Sequence, residues 1–238
     1  TTEIYTLSLH DALPISLVPV FHRALAAGLA RPLAVLNLGG VGNVTWIGAD
    51  DELLAFDTGP GNALLDDWAL AHTGVPVDAD GALARAGRVD GHAVAGFTQH
   101  EFFDRRPPKS LDRDDFRAHA ARLVAGKGAA DGAATLATFT ARAVALAVPH
   151  FPAPPARWLV CGGGRHNPAV MAALAAELAV PVDPVEVVGW DGDALEAQAF
   201  AYLAVRSLRG LPLTFPGTTG GPAPCSGGRL HRPAARLG

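Results

Sequence analysis

Residues 33–62 read LAVLNLGGVGNVTWIGADDELLAFDTGPGN, and this stretch decides the fold. Leu33–Leu38 is a short apolar run that predicts a buried strand ending in Gly39-Gly40. Val44–Ile47 predicts a second strand and Asp50-Asp51 a turn. Leu53–Phe56 predicts a third strand, which delivers Asp57 into Thr58-Gly59-Pro60-Gly61-Asn62. The apolar-periodic segment from Ala63 to Trp68 then predicts a helix. Two glycines between paired strands let backbone approach a ligand and turn N–H groups toward an anion such as a phosphate chain. A glycine-rich turn that opens a helix adds that helix's unpaired N–H groups and its dipole. Asp57, a carboxylate at the end of a buried strand between two such turns, has the chemistry of a general base. Either turn alone reads more readily as a plain hairpin; the two with an aspartate between them point to a phosphate site. Neither G-x-x-x-x-G-K-[ST] nor G-x-G-x-x-G occurs, so this is neither a P-loop nor a dinucleotide fingerprint.

The 238 residues are enough to bury a sizeable core, and the formal charge of −4 points to neither nucleic acid nor an anionic membrane surface. Cys161 and Cys225, the only cysteines, form no C-x-x-C and read as reduced thiols of a cytoplasmic protein. None of the nine histidines falls in H-E-x-x-H, and no metal-ligating set is assigned. Arg142, Pro149 and Glu177 interrupt the apolar runs that approach membrane-spanning length.

Residues 1–16, TTEIYTLSLHDALPIS, differ in composition from the Ala/Arg/Gly-rich remainder, lack the features of a secretory signal, and read as a non-native segment. Leu17–Ala30 predicts an amphipathic helix with Phe21, Leu25 and Leu29 on one face. Gly74 reads as a C′ glycine, and residues 75–96 as polar and loop-like with a short helical piece around Leu83. Residues 100–116, the most charged region, read as a surface excursion beside a cleft or as a plain solvated loop. Asp131–Val148 predicts a helix closed by Pro149. Trp158–Cys161 predicts a buried strand that enters Gly162-Gly163-Gly164, with Asn167 as N-cap and Pro168 at the first position of the next helix. Such a turn either lets a planar ligand lie on bare backbone or is simply a tight connection. Asp193 with Glu196 suggests a capping box for the last clear helix, stopped by Gly210 and Pro212; Glu196 is either that cap or a functional carboxylate. Residues 216–238 read as a loose Gly/Pro-rich tail.

Taken together, the segments Leu17-Val18-Pro19 with Phe21-His22, Leu36–Asn43, Asp57–Asn62 with Asp66, Pro107–Ser110, Val160–Gly164 with Asn167-Pro168, and Asp193–Glu196 with Ala199–Ala201 resemble the anhydro-N-acetylmuramic acid kinase family of the actin-like ATPase superfamily. The resemblance covers residue 17 to about residue 220. It implies an α/β, ribonuclease H-like lobe with a mixed sheet and flanking helices, the C-terminal part (17–215) of a two-lobe kinase. It also implies that Gly39, Gly40 and Asn43 form a phosphate loop, with Gly59 and Gly61 beside it, and that Asp57 is the catalytic base. Gly162, Gly163 and Gly164 would form an adenosine motif, and Asn62, Lys109 and Glu196 would lie near the sugar. ATP with Mg²⁺ and an amino sugar are the implied substrates, and a cytoplasmic enzyme, possible as a homodimer, the implied setting.

The family's first phosphate loop, G-T-S-x-D-G, is absent, and after Ser110 the chain continues Leu111-Asp112-Arg113-Asp114 where the family usually has Thr-Gly-Arg-Glu. The expectation is therefore one lobe of the enzyme, inactive by itself. Two alternatives stay open: another sugar kinase of the same superfamily, and a non-catalytic module that binds nucleotide or muropeptide.

Overall fold

The computed structural model describes residues 4–6 and 17–231. The reading of residues 1–16 as non-native lies outside the described residues, except that β1 (Ile4–Thr6) has a placed backbone. Next come α1 (Pro19–Leu25), β2 (Leu33–Leu38), β3 (Val41–Ile47), β4 (Leu53–Pro60) and α2 (Ala63–Thr73). The middle of the chain is helical: α3 (Ala82–Ala86), α4 (Gly91–Phe97), α5 (Arg117–Val124) and α6 (Ala129–Ala145). The last part holds β5 (Trp158–Cys161), α7 (Pro168–Leu178), β6 (Val182–Pro184), α8 (Leu195–Leu208), α9 (Pro216–Thr219) and β7 (Arg229–His231).

Five strands form one mixed sheet in the order β4-β3-β2-β5-β6. β2, β3 and β4 are an antiparallel meander, whereas β5 and β6 run parallel to β2 and to each other. β1 pairs only with β7. The apolar run of β2 has no polar alternation because both sheet faces are covered. Ala34, Leu36 and Leu38 join Val44, Trp46, Phe56 and Val160 under α6 and α7. Leu33 and Val35 join Ile47, Leu53 and Leu159 under α1 and α8.

The strands run further than their apolar residues. β3 begins at Val41 and β4 extends to Pro60, with Gly42 opposite Gly59 and an irregular register between Gly42 and Asn43. Thr58-Gly59-Pro60 is therefore strand rather than turn. The helix expected over Leu17–Ala30 ends at Leu25 and continues as a 3₁₀ turn, Ala26–Gly28. The 129–150 helical stretch is apolar enough over 18 residues to cross a membrane by composition, yet 67% of that window is buried inside the fold. It is the central helix against which the sheet packs.

Of the two readings of the charged stretch 100–116, the plain solvated loop is corrected, while Ser110, Leu111 and Asp112 do lie beside a cleft. Phe102, Phe103 and Phe116 are buried, and with Phe97 and Phe139 they form a second core under α4, α5 and α6. Phe97 and Phe139 stack with ring centroids 4.3 Å apart. The charges ride on the outside of a segment anchored by aromatics, and residues 91–96, expected as loop, lie in α4, which is capped by the Asp90 carboxylate. The start of the expected loose tail is packed as well. Thr218 on α9 is buried, and a Cβ on Gly217 would lie 2.0 Å from the Leu53 carbonyl oxygen. Phe116→Ala is expected to lower unfolding free energy by roughly 3–5 kcal/mol, while Arg113→Ala nearby changes it by less than about 0.5 kcal/mol. Equilibrium urea denaturation checks both, and equal small effects would mean the segment is not anchored.

Candidate functional site

Side chains alternate across a strand, so one sheet face collects every second residue. On the face covered by α1 and α8, β2 presents Leu33, Val35 and then Asn37, and β3 presents Ile47 and then Thr45, Asn43 and Val41. β4 presents Leu53 and, four residues on, Asp57; β5 presents Leu159 and Cys161. The face changes from apolar to polar along its length. The apolar end is sealed by helices, and the polar end floors an open cleft of about 730 Å³. Ser110, Leu111 and Asp112 form one wall; Gly162, Gly163, Arg165, Asp193 and Glu196 form the other, and His22 sits at the α1 edge.

Asp57 is 4% exposed and faces Asn43 across the β3–β4 pair. The Leu111 N–H donates to its Oδ2 at 2.8 Å, and its own N–H donates to the Lys109 carbonyl at 3.0 Å. Burial lifts its carboxyl to about 7, against the smaller opposing pull of the Leu111 N–H. A carboxylate balanced near neutral pH and open to a cleft suits proton abstraction.

The glycine turn after β5 is held by a residue that carried no sequence signal except its charge inside a buried connection. The Arg165 guanidinium donates to the Gly162 carbonyl at 3.0 Å, to Glu186 at 2.8 Å and to Asp193 at 2.7 Å. This pairing corrects the expected capping box. Asp193 is committed to Arg165, and the Asp191 carboxylate accepts from the Asp193 and Ala194 N–H groups just ahead of α8. Glu196, freed from a capping role, stands exposed on the cleft wall with no ion pair among the described residues. Gly162 has a left-handed φ of 75°, and a Cβ there would lie 2.4 Å from Asn37 Oδ1, so only glycine closes this turn onto β2.

Thus Asp57, Asn43, Gly162, Gly163 and Glu196 meet in one cleft, together with His22, Thr45 and Arg165, which the sequence reading did not single out as site residues. The other candidates lie around it. Ahead of α2 the N–H groups are taken up by the β2–β3 hairpin: those of Gly61 and Ala63 donate to the Gly40 carbonyl, and that of Asn62 to Gly39. Gly61 is there for contact, since its Cβ would fall 2.3 Å from the Gly39 oxygen. Gly59 faces Ala143 on α6, where a Cβ would come within 2.7 Å. Asn62 donates to the Leu38 carbonyl and packs beside Gly164, so it braces one turn against the other. Gly39 and Gly40 form the tip of the β2–β3 hairpin, off the cleft floor. Lys109 points the other way: its Nζ donates to the Phe102 and Phe103 carbonyls at 3.1 and 3.3 Å over the Phe102 ring. It anchors the wall rather than lining it. Cys161 lies at the cleft edge with its thiol pushed up to about 12 by burial, which keeps it inert at neutral pH.

The raised carboxyl of Asp57 is a stability statement. The unfolded chain releases this proton near pH 4 and the folded one near 7, so ionisation costs folded protein as pH rises through that window. Asp57→Asn, which keeps an acceptor for Leu111, is expected to match wild-type stability near pH 4 and to exceed it at pH 8 by as much as about 4 kcal/mol. Thermal or urea unfolding at the two pH values measures this, and an equal difference at both would show that Asp57 ionises freely.

Known proteins resemble this chain over most of its length. The family described as anhydro-N-acetylmuramic acid kinase matches residues 14–232. A protein of that name from Paramagnetospirillum magneticum is 69% identical over 217 residues, covering 91% of this chain and 61% of the relative. Another, from Rhodospirillum rubrum, is 63% identical and covers 93% of this chain and 59% of the relative. The chain thus spans about three-fifths of the length of these curated relatives. Among solved structures, component A of (R)-2-hydroxyglutaryl-CoA dehydratase from Acidaminococcus fermentans superposes with a TM-score of 0.50 at 18% identity, over 78% of this chain and 67% of that one. That likeness concerns the fold, and the mixed sheet with flanking helices is the actin-like lobe expected from the sequence. With the family pattern matched from before α1 to β7, the chain belongs to the anhydro-N-acetylmuramic acid kinase family.

Proposed function

We propose that this chain supplies the base-bearing lobe of an ATP-dependent kinase acting on 1,6-anhydro-N-acetylmuramic acid. In this reading water attacks the anomeric carbon, the bond from that carbon to O6 breaks, and O6 takes the γ-phosphoryl of ATP. The products are N-acetylmuramate 6-phosphate and ADP, an activity suited to cytoplasmic recycling of cell-wall sugars. The observation that carries the reading is Asp57: a buried carboxylate with a pKa near 7 on the floor of a cleft whose wall is a bare glycine turn. Family membership supports it independently.

Asp57 takes the proton of the attacking water, a role worth roughly 10²–10⁴ in rate. The Leu111 N–H fixes its Oδ2, so Oδ1 is the oxygen left for water. Gly162 and Gly163 let the purine nucleoside lie against backbone, and Gly39 at the hairpin tip, where a Cβ would meet only the Val41 carbonyl oxygen at 3.8 Å, leaves phosphates an approach, with the Arg113 side chain alongside Gly40. Phosphoryl transfer of this kind needs chiefly positioning and neutralisation of charge. Among the described residues no group of three or more His, Cys, Asp or Glu side chains gathers to hold a metal. Mg²⁺ would accordingly arrive on the nucleotide phosphates as part of the substrate.

In the full-length protein that carries this segment, Asp57→Asn is expected to cut sugar-dependent ADP release at least about 100-fold while nucleotide affinity stays within about twofold. Turnover near the wild-type rate in that variant would sink the assignment. Because the base acts ionised, wild-type kcat/KM is expected to fall about tenfold per pH unit below a pH near 7, and the acid limb is read from a pH–rate profile.

A further inference from the structure

One polar group at the α1 edge of the cleft has no part in the scheme above. His22, on the first turns of α1, is 3% exposed and lies over β3. Its Nδ1 is 2.9 Å from Thr45 Oγ1, so the ring is oriented by the sheet. Its Nε2 has no hydrogen-bond partner among the described residues, and it is not among the polar atoms sealed away from solvent. The imidazole is itself a lining residue of the cleft, so its open nitrogen faces that space. A histidine kept only for packing would bury both nitrogens satisfied, or leave one on the outer surface.

The surroundings narrow what that nitrogen can bind. Asp57, Asp112, Asp193 and Glu196 line the same cleft, and the Arg165 guanidinium is committed to Glu186 and Asp193. Burial pushes the His22 imidazole down to about 4, so it is neutral at physiological pH and adds no positive charge. An anion gains nothing at this place; an uncharged polar group does. A hydroxyl fits either ring tautomer, because it can both give and take a hydrogen bond. Position supports a sugar hydroxyl in particular. Thr45 lies two residues from Asn43 on the same face of β3, and Asn43 is opposite Asp57. Two residues along a strand is about 6.8 Å, a separation that one sugar ring with its substituents bridges.

We propose that His22, oriented by Thr45, is a substrate-binding residue whose free ring nitrogen bonds an uncharged hydroxyl of the sugar, on the side of the ring away from the carbon served by Asp57. This deepens the reading of the cleft as a sugar site and rests on it. Loss of the bond weakens sugar binding with little effect on nucleotide. Thr45 acts through His22 as a positioning residue.

The test uses the full-length protein carrying this segment. His22→Phe keeps a ring of similar size without a polar edge, and Thr45→Val keeps shape while removing the hydroxyl. His22→Phe is expected to raise KM for the anhydro sugar about 10-fold or more, with nucleotide KM within about twofold. Thr45→Val moves sugar KM the same way by less. His22→Gln, which places an amide near the former Nε2, recovers part of the loss. Unchanged sugar KM in a folded His22→Phe protein overturns the inference, as does an equal rise in both KM values. A second measurement separates this from the choice of substrate: the His22 side-chain ¹⁵N resonances are followed while 1,6-anhydro-N-acetylmuramic acid, and then a panel of free hexoses and N-acetylhexosamines, is added. Movement with a free sugar but not with the anhydro sugar keeps the inference and sinks the proposed substrate; no movement with any sugar sinks the inference.

Discussion

The hydrogen bond from the Leu111 N–H to the Asp57 carboxylate joins two parts of the chain 54 residues apart, and much of the structure serves to keep it. A carboxylate this deeply buried is costly unless something donates to it. The donor belongs to an irregular segment, which would not hold its place by backbone bonding alone. It is pinned from behind: Lys109, two residues before Leu111, sends its ammonium into the carbonyls of Phe102 and Phe103, and the Lys109 carbonyl closes on the Asp57 N–H. Those phenylalanines belong to the aromatic core that α4, α5 and α6 assemble around Phe97, Phe116 and Phe139. The second core therefore does more than add buried area. It fixes the wall of the cleft against the buried carboxylate of Asp57.

The other constraint is the alternation of the sheet. A strand cannot change which residues face a given side without a bulge, so the polar floor must use the same parity as the apolar seal beside it. β2 shows this directly: Leu33 and Val35 are sealed under α1 and α8, and Asn37 opens to the cleft. On β3 the same face carries Ile47 in the seal and Thr45, Asn43 and Val41 in the open part. α1 crosses the boundary, which is why its Phe21 joins the apolar cluster while its neighbour His22 meets Thr45 and the cleft.

This also explains how much was legible in the sequence. β2 could be read from Leu33–Leu38 because continuous burial leaves a continuous apolar run. The ends of β3 and β4 could not, since Val41-Gly42-Asn43 and Asp57–Pro60 carry the residues of a site while keeping strand geometry. Asp57 stood out as a lone carboxylate after an apolar strand. Gly59 and Gly61 read as part of a second phosphate turn, but what they closely approach is α6 in one case and the β2–β3 hairpin in the other. Lys109 misled for a related reason: a lysine beside two prolines in a charged stretch reads as exposed, and nothing local announces the aromatic pocket that Phe102 provides from seven residues back. His22 and Arg165 sit in apolar or glycine-rich surroundings and find their partners 23, 21 and 28 residues away, beyond the reach of any local pattern.

Arg165 shows what such long-range partners accomplish. Its guanidinium is 3% exposed, and an arginine at that depth must have its charge answered. Glu186 and Asp193 answer it from the segment that leads into α8, while the Gly162 carbonyl takes a further N–H. One side chain thereby fixes the spacing between the glycine turn and the first turn of α8, where Glu196 stands. Gly192 is part of the same arrangement, because a Cβ there would meet the Arg165 guanidinium at 2.5 Å. The Arg165 guanidinium is the main reason the Asp193 carboxyl sits below its usual range, whereas burial opposes ionisation of Glu186 and is outweighed by a bond from its own backbone N–H together with Arg165. Removing Arg165 would leave Asp193 without its guanidinium partner in the same cleft as Asp57 and Glu196. The cleft would become more acidic beside the glycine turn, so the arginine shapes the wall and limits its charge through the same three bonds.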